Sequence, residues 1–339
     1  MKSDVYSLSN PRNDNRSLIF RQVRENPISR SDIAKNAGIC KSSVTALTNQ
    51  MINQGLLTEI GSVDTGVGRR PVLLDIVADY GYAIGVSISK SSFVCISDLK
   101  SNAVAYADVE ADTNANEFSK IAIEGIRELL SRSGIDKNKC IGIGVVTSSG
   151  FEDVGTRVKN DLEDAFLLPI RVDTDTDLLC AARSKVQSGA CLLITLDEDI
   201  HSSLAINGNA LKGCNIEHFS IDCNGAPCSC GASGCLGAYV SGRALRQSFG
   251  KSSVSDALCD STTAQYVSDR LSFALQSIKN LIPLTRVVIC VKGQESNSLL
   301  CRLRERFCDS IEFEYIELSS DTMKSSVCMA IIDDYFEML

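Results

Sequence analysis

The sequence predicts an α/β protein built as a small winged helix-turn-helix head followed by a body of two α/β lobes. Three observations carry this. Three short helical patterns and two strands open the chain, the texture changes near Tyr80 to strands alternating with helices, and 339 residues are too many for one small module. The head is expected at residues 1–78, the first lobe at 79–180 and the second at 181–339, with a cysteine-rich loop at 214–240 and a C-terminal helix returning to the first lobe.

Each element follows from its local pattern. Leu18, Ile19 and Val23 mark a first helix. Ser31 is the expected N-cap of a second at 32–37, which Gly38 ends, and Val44, Leu47, Met51 and Ile52 keep helical spacing through 41–54 until Gly55. Residues 56–60 and 71–76 read as strands flanking the glycine-rich loop Gly61-Ser-Val-Asp-Thr-Gly-Val-Gly-Arg-Arg70. In the body, strands at 82–88, 93–99 and 103–109 lead to an amphipathic helix at 117–133 and a strand at 140–146. A helix at 177–187 precedes a hairpin of strands 191–196 and 204–207. After the cysteine-rich loop come a helix at 263–281, a strand at 286–291, a helix at 298–308, a strand at 311–316 and a last helix at 325–337.

With 44% hydrophobic and 22% charged residues, the chain can bury sizeable cores, which excludes a disordered protein. No apolar run approaches the roughly 18 residues of a membrane span, and residues 1–15 are polar, so a soluble cytoplasmic protein without a membrane partner is expected. The fifteen cysteines are odd in number, and most sit singly in apolar runs such as Phe93-Val-Cys-Ile96, which suits buried reduced thiols. Charge is uneven: residues 1–75 carry ten Lys and Arg against seven Asp and Glu, the remainder 24 against 35. A basic head on an acidic body fits a chain that meets a polyanion at one end.

The head has the layout of a DNA reader. In Ser31-Asp-Ile-Ala-Lys-Asn-Ala-Gly-Ile-Cys-Lys-Ser-Ser-Val-Thr-Ala-Leu47, the small Ala34 lets two helices approach and Gly38 supplies the turn. Val44 and Leu47 pack the second helix, leaving Lys41, Ser42, Ser43, Thr45 and Asn49 to reach bases and phosphates. Arg69 and Arg70 stand at the end of the following loop, suited to phosphates or a narrow minor groove. A hairpin used only for dimerisation would share the helices but has no use for that loop.

The cysteine-rich loop suggests a metal. Cys228, Cys230 and Cys235 form C-x-C-x4-C among Pro227, Gly231 and Gly234, and His218, one of two histidines in the chain, precedes them. Three thiolates and an imidazole complete a tetrahedral zinc site, structural because all four positions are protein ligands. Free thiols, a redox pair, or substitution by Cys214 or Cys223 remain open.

Together these features resemble the ROK family (repressors, open reading frames, kinases), in particular its transcriptional regulators. Asn15-Arg16, Ser29-Arg30, the turn, Gly68-Arg-Arg-Pro71, Gly142-Ile-Gly144, Cys228-Ser-Cys-Gly-Ala-Ser-Gly-Cys235 and Ser241-Gly242 fall in family order across nearly the whole chain. The resemblance implies an actin-like, two-lobed sugar-kinase body of ribonuclease H-like type. It also implies zinc on His218, Cys228, Cys230 and Cys235, and binding of a double-stranded operator by a homodimer or homotetramer.

The departures from the family pattern bear on its kinase chemistry. Where kinases carry D-x-G-x-T, Gly85-Val-Ser-Ile-Ser89 has Ser87 and Ser89 in place of the acid and glycine. A second phosphate loop, T-L-G-T-G-I-G, reads Thr195-Leu-Asp-Glu-Asp-Ile-His201, where Asp197, Glu198 and Asp199 are expected to repel a triphosphate that glycine amides would hold. Ile289-Cys-Val-Lys292 replaces the adenosine glycines. On the sugar side the N-D pair becomes Thr174-Asp175, so Asp175 aligns with the family base and lacks its partner. E-x-G-H becomes Asn215-Ile-Glu-His218, the Glu after Cys-Leu becomes Gly237, and P-G becomes Ser148-Ser149. Thr174, Asp175 and Asn215 mark what remains of a ligand cleft. The expectation is a DNA-binding regulator, a repressor, with structural zinc, no ATP, no enzymatic activity and a lost or altered sugar response. The alternatives are a sugar-responsive repressor of carbohydrate metabolism and a sugar kinase with a DNA-binding head.

Overall fold

A computed structural model describes residues 11–62, 71–89, 91–109, 115–148, 151–184, 189–206, 209–211, 214–293, 297–308 and 310–338. The head begins with helix α1 (Pro11–Glu25), which buries Ile19, Phe20 and Val23. Strand β1 (Ile28–Ser29) leads directly into α2 (Arg30–Ala37). The cap of α2 is Ser29, not the Ser31 expected from sequence: Ser29 has extended backbone angles and its hydroxyl accepts from Asp32 N–H at 3.2 Å. Gly38, at φ +66°, ends α2 in the left-handed region that glycine enters without cost. Helix α3 (Lys41–Asn53) then buries Val44, Leu47, Thr48 and Met51. Strands β2 (Leu57–Ser62) and β3 (Val72–Ile76) pair antiparallel, and β1 adds to β3, giving a three-stranded sheet in the order β1-β3-β2.

The described residues fall into two compact units. The first takes the chain up to Thr147, with Phe151–Val172 and the residues from Val327 on; the second takes Ser148 and Asp173–Ser326. The first unit holds the head and a five-stranded sheet in the order β6-β5-β4-β7-β8, from β4 (Tyr82–Ile88), β5 (Ser92–Asp98), β6 (Ala103–Val109), β7 (Cys140–Thr147) and β8 (Ile170–Thr174). Its helices are α4 (Ala115–Ser133) and α5 (Glu152–Phe166). Ile84, Val86, Ile143 and Val145 pack with Phe118, Ala122, Ile126, Val158 and Leu162 in one core.

Neither α5 nor β8 is anticipated by the sequence reading. Val154, Val158, Leu162 and Phe166 stand four apart, a helical stripe. Charged and polar residues between them break up any continuous apolar run. In β8 every residue is only partly buried, so the strand lacks the alternation that marks a half-covered sheet.

The second unit repeats the same strand order. Helix α6 (Asp175–Ser184) precedes β9 (Ala190–Leu196), β10 (Ile200–Ile206) and β11 (Asn209–Leu211), and after the cysteine-rich loop come α7 (Gly237–Val240), α8 (Gly242–Phe249), α9 (Val254–Cys259) and α10 (Ser261–Leu281). Strand β12 (Leu284–Val291), α11 (Asn297–Phe307) and β13 (Glu312–Glu317) complete the sheet β11-β10-β9-β12-β13. In both units a central strand pairs antiparallel with its sequence successor and parallel with the fourth strand. Cys95, Cys140, Cys180, Cys191, Cys290 and Cys328 are buried as the apolar runs imply, whereas Cys259, Cys301 and Cys308 are exposed. No helix among the described residues is long and apolar enough to cross a membrane.

The last helix, α12 (Ser320–Met338), starts five residues before the expected 325, and from Val327 it lies on the first sheet. Glycines permit this approach. A Cβ at Gly144 would stand 2.6 Å from Val327 Cγ2 and 3.0 Å from the Val327 carbonyl, and one at Gly142 would stand 2.9 Å from Ile331 Cγ2. Gly144→Ala is therefore expected to lower unfolding free energy by about 1–3 kcal/mol through overpacking, read from the urea midpoint. An unchanged midpoint would mean that α12 does not seat there.

Candidate functional site

On the head, Lys41, Ser42, Thr45 and Asn49 are exposed along α3 and Ser43 is partly so, one polar face opposite the buried Val44, Leu47 and Met51. The Thr45 hydroxyl donates to the Lys41 carbonyl at 2.8 Å. Asn49 is held in orientation, its Oδ1 accepting from Arg30 Nη2 at 3.1 Å. Arg30 also donates through Nε to Thr48 at 3.0 Å and pairs with Glu59 at 2.9 Å, so one guanidinium joins α2, α3 and the sheet. Sequence reasoning cites Arg30 only as a motif letter and misses this role. Cys40, just before α3, lies 3.3 Å and 3.0 Å from the Ser42 and Ser43 hydroxyls, which hold its thiol down to about 7. Arg69 and Arg70 lie outside the described residues.

The four predicted metal ligands come together in the second unit. His218 ends a single turn after β11, whose carboxylate Glu217 lies 2.9 Å from the Ser202 hydroxyl. That hydroxyl in turn accepts from Ile216 N–H at 2.9 Å. Short antiparallel bridges, Ser220 with Cys235 and Pro227 with Ser233, fold the loop back on itself. Gly234, at φ +71°, makes the tightest point: a Cβ there would overlap the Asp222 carbonyl oxygen.

The ligand atoms of His218, Cys228, Cys230 and Cys235 all lie within 4.8 Å of one another. His218 Nδ1 is 3.4 Å from Cys228 Sγ, and Cys230 Sγ is 3.6 Å from Cys235 Sγ. A tetrahedral ion with Zn–S near 2.3 Å places its sulfurs about 3.8 Å apart, so this cluster could hold a metal ion with little adjustment. The Cys230 backbone N–H holds the Cys228 thiol down to about 6, while burial and its neighbouring thiols push Cys235 up to about 12. Cys214, raised to about 11 by burial, and the exposed Cys223 are not in the cluster.

The residues left from a sugar site are occupied locally. The Thr174 hydroxyl accepts from Asp177 N–H at 3.1 Å, a helix-capping contact. Asp175 accepts from Thr176 N–H at 2.7 Å and from its hydroxyl at 3.1 Å, and burial raises its carboxyl above the usual range. Asn215 is exposed and its carbonyl accepts from His218 N–H at 3.1 Å.

The turn between β9 and β10 corrects the charge expectation. Asp197, Glu198 and Asp199 are not an uncompensated negative cluster. Asp197 pairs with Lys292 at 3.0 Å, Glu198 takes two bonds from Arg246 at 2.8 and 2.7 Å, and Asp199 pairs with Arg243. The first amides of α8, which face outward in an anion site, donate instead to the turn: Gly242 to the Asp197 carbonyl at 2.8 Å and Arg243 to that of Glu198 at 3.2 Å. Backbone contact, more than net charge, separates this turn from a phosphate cradle.

Residues 144–286 of the chain match the ROK family, within an α/β body of two units that follows a head of three helices and a three-stranded sheet. Among curated proteins it is similar to the xylose repressor of Bacillus spizizenii, 26% identical over 262 residues that span 69% of this chain and 67% of that protein. Among solved structures it is similar to a ROK family transcriptional regulator, a homolog of the E. coli Mlc protein. That likeness covers 97% of this chain and 98% of the other, with a TM-score of 0.72 and 16% identity. The ROK hexokinase of Thermus thermophilus covers 73% of this chain and 97% of its own, with a TM-score of 0.58 and 15% identity. The body is thus a fold shared by regulators and kinases.

Proposed function

We propose that the chain is a DNA-binding transcriptional repressor of ROK type that has left kinase chemistry behind. The observation that carries this is the polar face of α3, with Lys41, Ser42, Ser43, Thr45 and Asn49 presented on a helix whose opposite side is anchored in the head. In this reading residues 1–78 are the DNA-binding domain and 79–180 and 181–339 the two lobes, with the C-terminal helix returning to the first. The protein works in the cytoplasm as a homodimer or homotetramer. Arg69 and Arg70 hold phosphates or a narrow minor groove. The xylose repressor relative supports regulation of carbohydrate metabolism.

The same relative favours a second reading, in which a sugar still controls the repressor through Thr174, Asp175 and Asn215. A thermal-shift screen with pentoses, hexoses and their phosphates separates the two: a shift with one sugar supports control, none supports loss.

Zinc is proposed on His218, Cys228, Cys230 and Cys235. Its contribution is structural: the four ligands converge only in the folded loop, so metal binding adds to folding free energy. Protein purified without added metal should contain about one zinc per chain. Cys230→Ser should lose it and melt lower; full zinc and an unchanged melting temperature in that variant would remove Cys230 from the site.

Enzymatic activity is not part of the proposal, since the turn at Asp197 and α8 spends on each other the amides and cations that phosphate would need. Calorimetry with Mg-ATP is expected to show no micromolar binding, and turnover with any hexose would restore the kinase reading.

For DNA, replacing Arg69 and Arg70 with alanine should weaken specific and random duplexes alike. Each lost phosphate contact reduces the salt-dependence slope by about 0.9. Ser43→Ala or Thr45→Ala should instead change preference among sequences by about 1–3 kcal/mol at the affected position. A salt titration on duplexes with A·T-rich and G·C-rich flanks checks both, and an unchanged slope in the double variant would take the loop out of the interface.

A further inference from the structure

A stripe along the first head helix, from Ser17 to Arg24, meets the last helix of the chain. Ser17, Phe20, Arg21 and Arg24 of α1 fall at i, i+3, i+4 and i+7, a single stripe along α1. Every member of that stripe meets the last turns of α12. The Ser17 hydroxyl donates to the Phe336 carbonyl at 2.8 Å. Phe20 stacks on Phe336, with ring centroids 3.4 Å apart and planes 18° apart. Arg21 pairs with Glu337 at 2.6 Å. Arg24 lies 3.0 Å from Asp333, with side chains only 13% and 6% exposed. Between these contacts Asp334 pairs with Arg171 of β8 at 2.8 Å, so the same turns of α12 are fastened to the sheet.

The kind of contact matters as much as the number. A stacked ring pair and a sequestered ion pair both name their partners, because a charge so withdrawn from water is costly once its counter-charge leaves. A greasy patch could slide by a turn; a slide here would separate the Arg24 and Asp333 charges and the two rings.

We propose that the α1 stripe and the last turns of α12 form an orientation clasp, which fixes the direction in which α3 faces and thereby determines the separation of DNA half-sites that a symmetric dimer accepts. The proposal rests on the DNA-binding and dimer readings above. Half-sites on one face of a duplex are a helical turn apart, and a dimer with rigidly held heads matches one separation where pivoting heads match several. None of the clasp residues lies among the exposed α3 residues, so reading of a single half-site is left alone.

The test uses the full chain, Asp333→Arg, the charge-swapped Arg24→Glu/Asp333→Arg, and Phe336→Ala as a second route should the first variant fail to fold. Duplexes carry half-sites from a random-pool selection at the recovered separation and with roughly five base pairs inserted, which turns one half-site to the opposite face. Wild type is expected to lose about tenfold or more in affinity on the lengthened duplex, whereas Asp333→Arg and Phe336→Ala should differ by less than about threefold between the two. All should bind an isolated half-site alike, and the charge swap should restore discrimination. Hydrogen exchange in Pro11–Glu25 supplies a readout without DNA, expected to rise in both single variants and fall back in the swap.

Wild-type discrimination retained in both single variants would overturn the spacing role, as would weakened half-site binding. Unchanged exchange in both would overturn the clasp itself. If wild type bound no duplex, the DNA-binding reading would fall and the spacing rule with it, while the exchange data would still decide whether the helices are clasped.

Discussion

The distance at which α12 can lie from the first sheet governs the arrangement of that unit. Gly142 and Gly144 of β7 leave no side chain on the covered face, and Val327 and Ile331 fill the space that a Cβ would take. A helix held off by even one methyl group would lift its distal turns as well. Those turns carry Asp333, Phe336 and Glu337, so the position of α1, and with it of the head, follows from glycine at two strand positions. Packing in the sheet and the seating of the head are one problem here.

What could be read from the sequence was whatever depends on neighbours within a few residues. The turn at Gly38, the stripe Val44, Leu47 and Met51, and the spacing of Cys228, Cys230 and Cys235 are local, and each stands where its pattern implied. The cap falls two residues before the expected Ser31 because Ser29 and Ser31 are chemically alike and both stand near the start of the helix; only the extended angles of Ser29 and its bond to Asp32 decide between them. Helix α5 was legible in principle, from Val154, Val158, Leu162 and Phe166, but interleaved charges hid its period.

Long-range pairings were out of reach for a different reason. Asp197, Glu198 and Asp199 look like an unbalanced acidic run until α8 and Lys292 bring cations from 44 to 95 positions away. Arg30 likewise reaches Thr48, Asn49 and Glu59 only once α2 and α3 have crossed. Composition records that such charges exist and says nothing about which meet. The turn after β9 has in effect supplied its own anions to the cations beside it, and the α8 amides are satisfied by its carbonyls.

The first unit is discontinuous in the chain, interrupted by Asp173–Ser326 and completed from Val327 on. During synthesis its glycine-bearing sheet face must therefore wait for the intervening residues, on the order of ten seconds or more at typical elongation rates. The second unit, nearly continuous, can collect its core while the first stands open. Nascent chains would thus carry a head without its support and a bare sheet face, which is where a chaperone would be needed and where a ribosome stalled before Val327 would leave an aggregation-prone product.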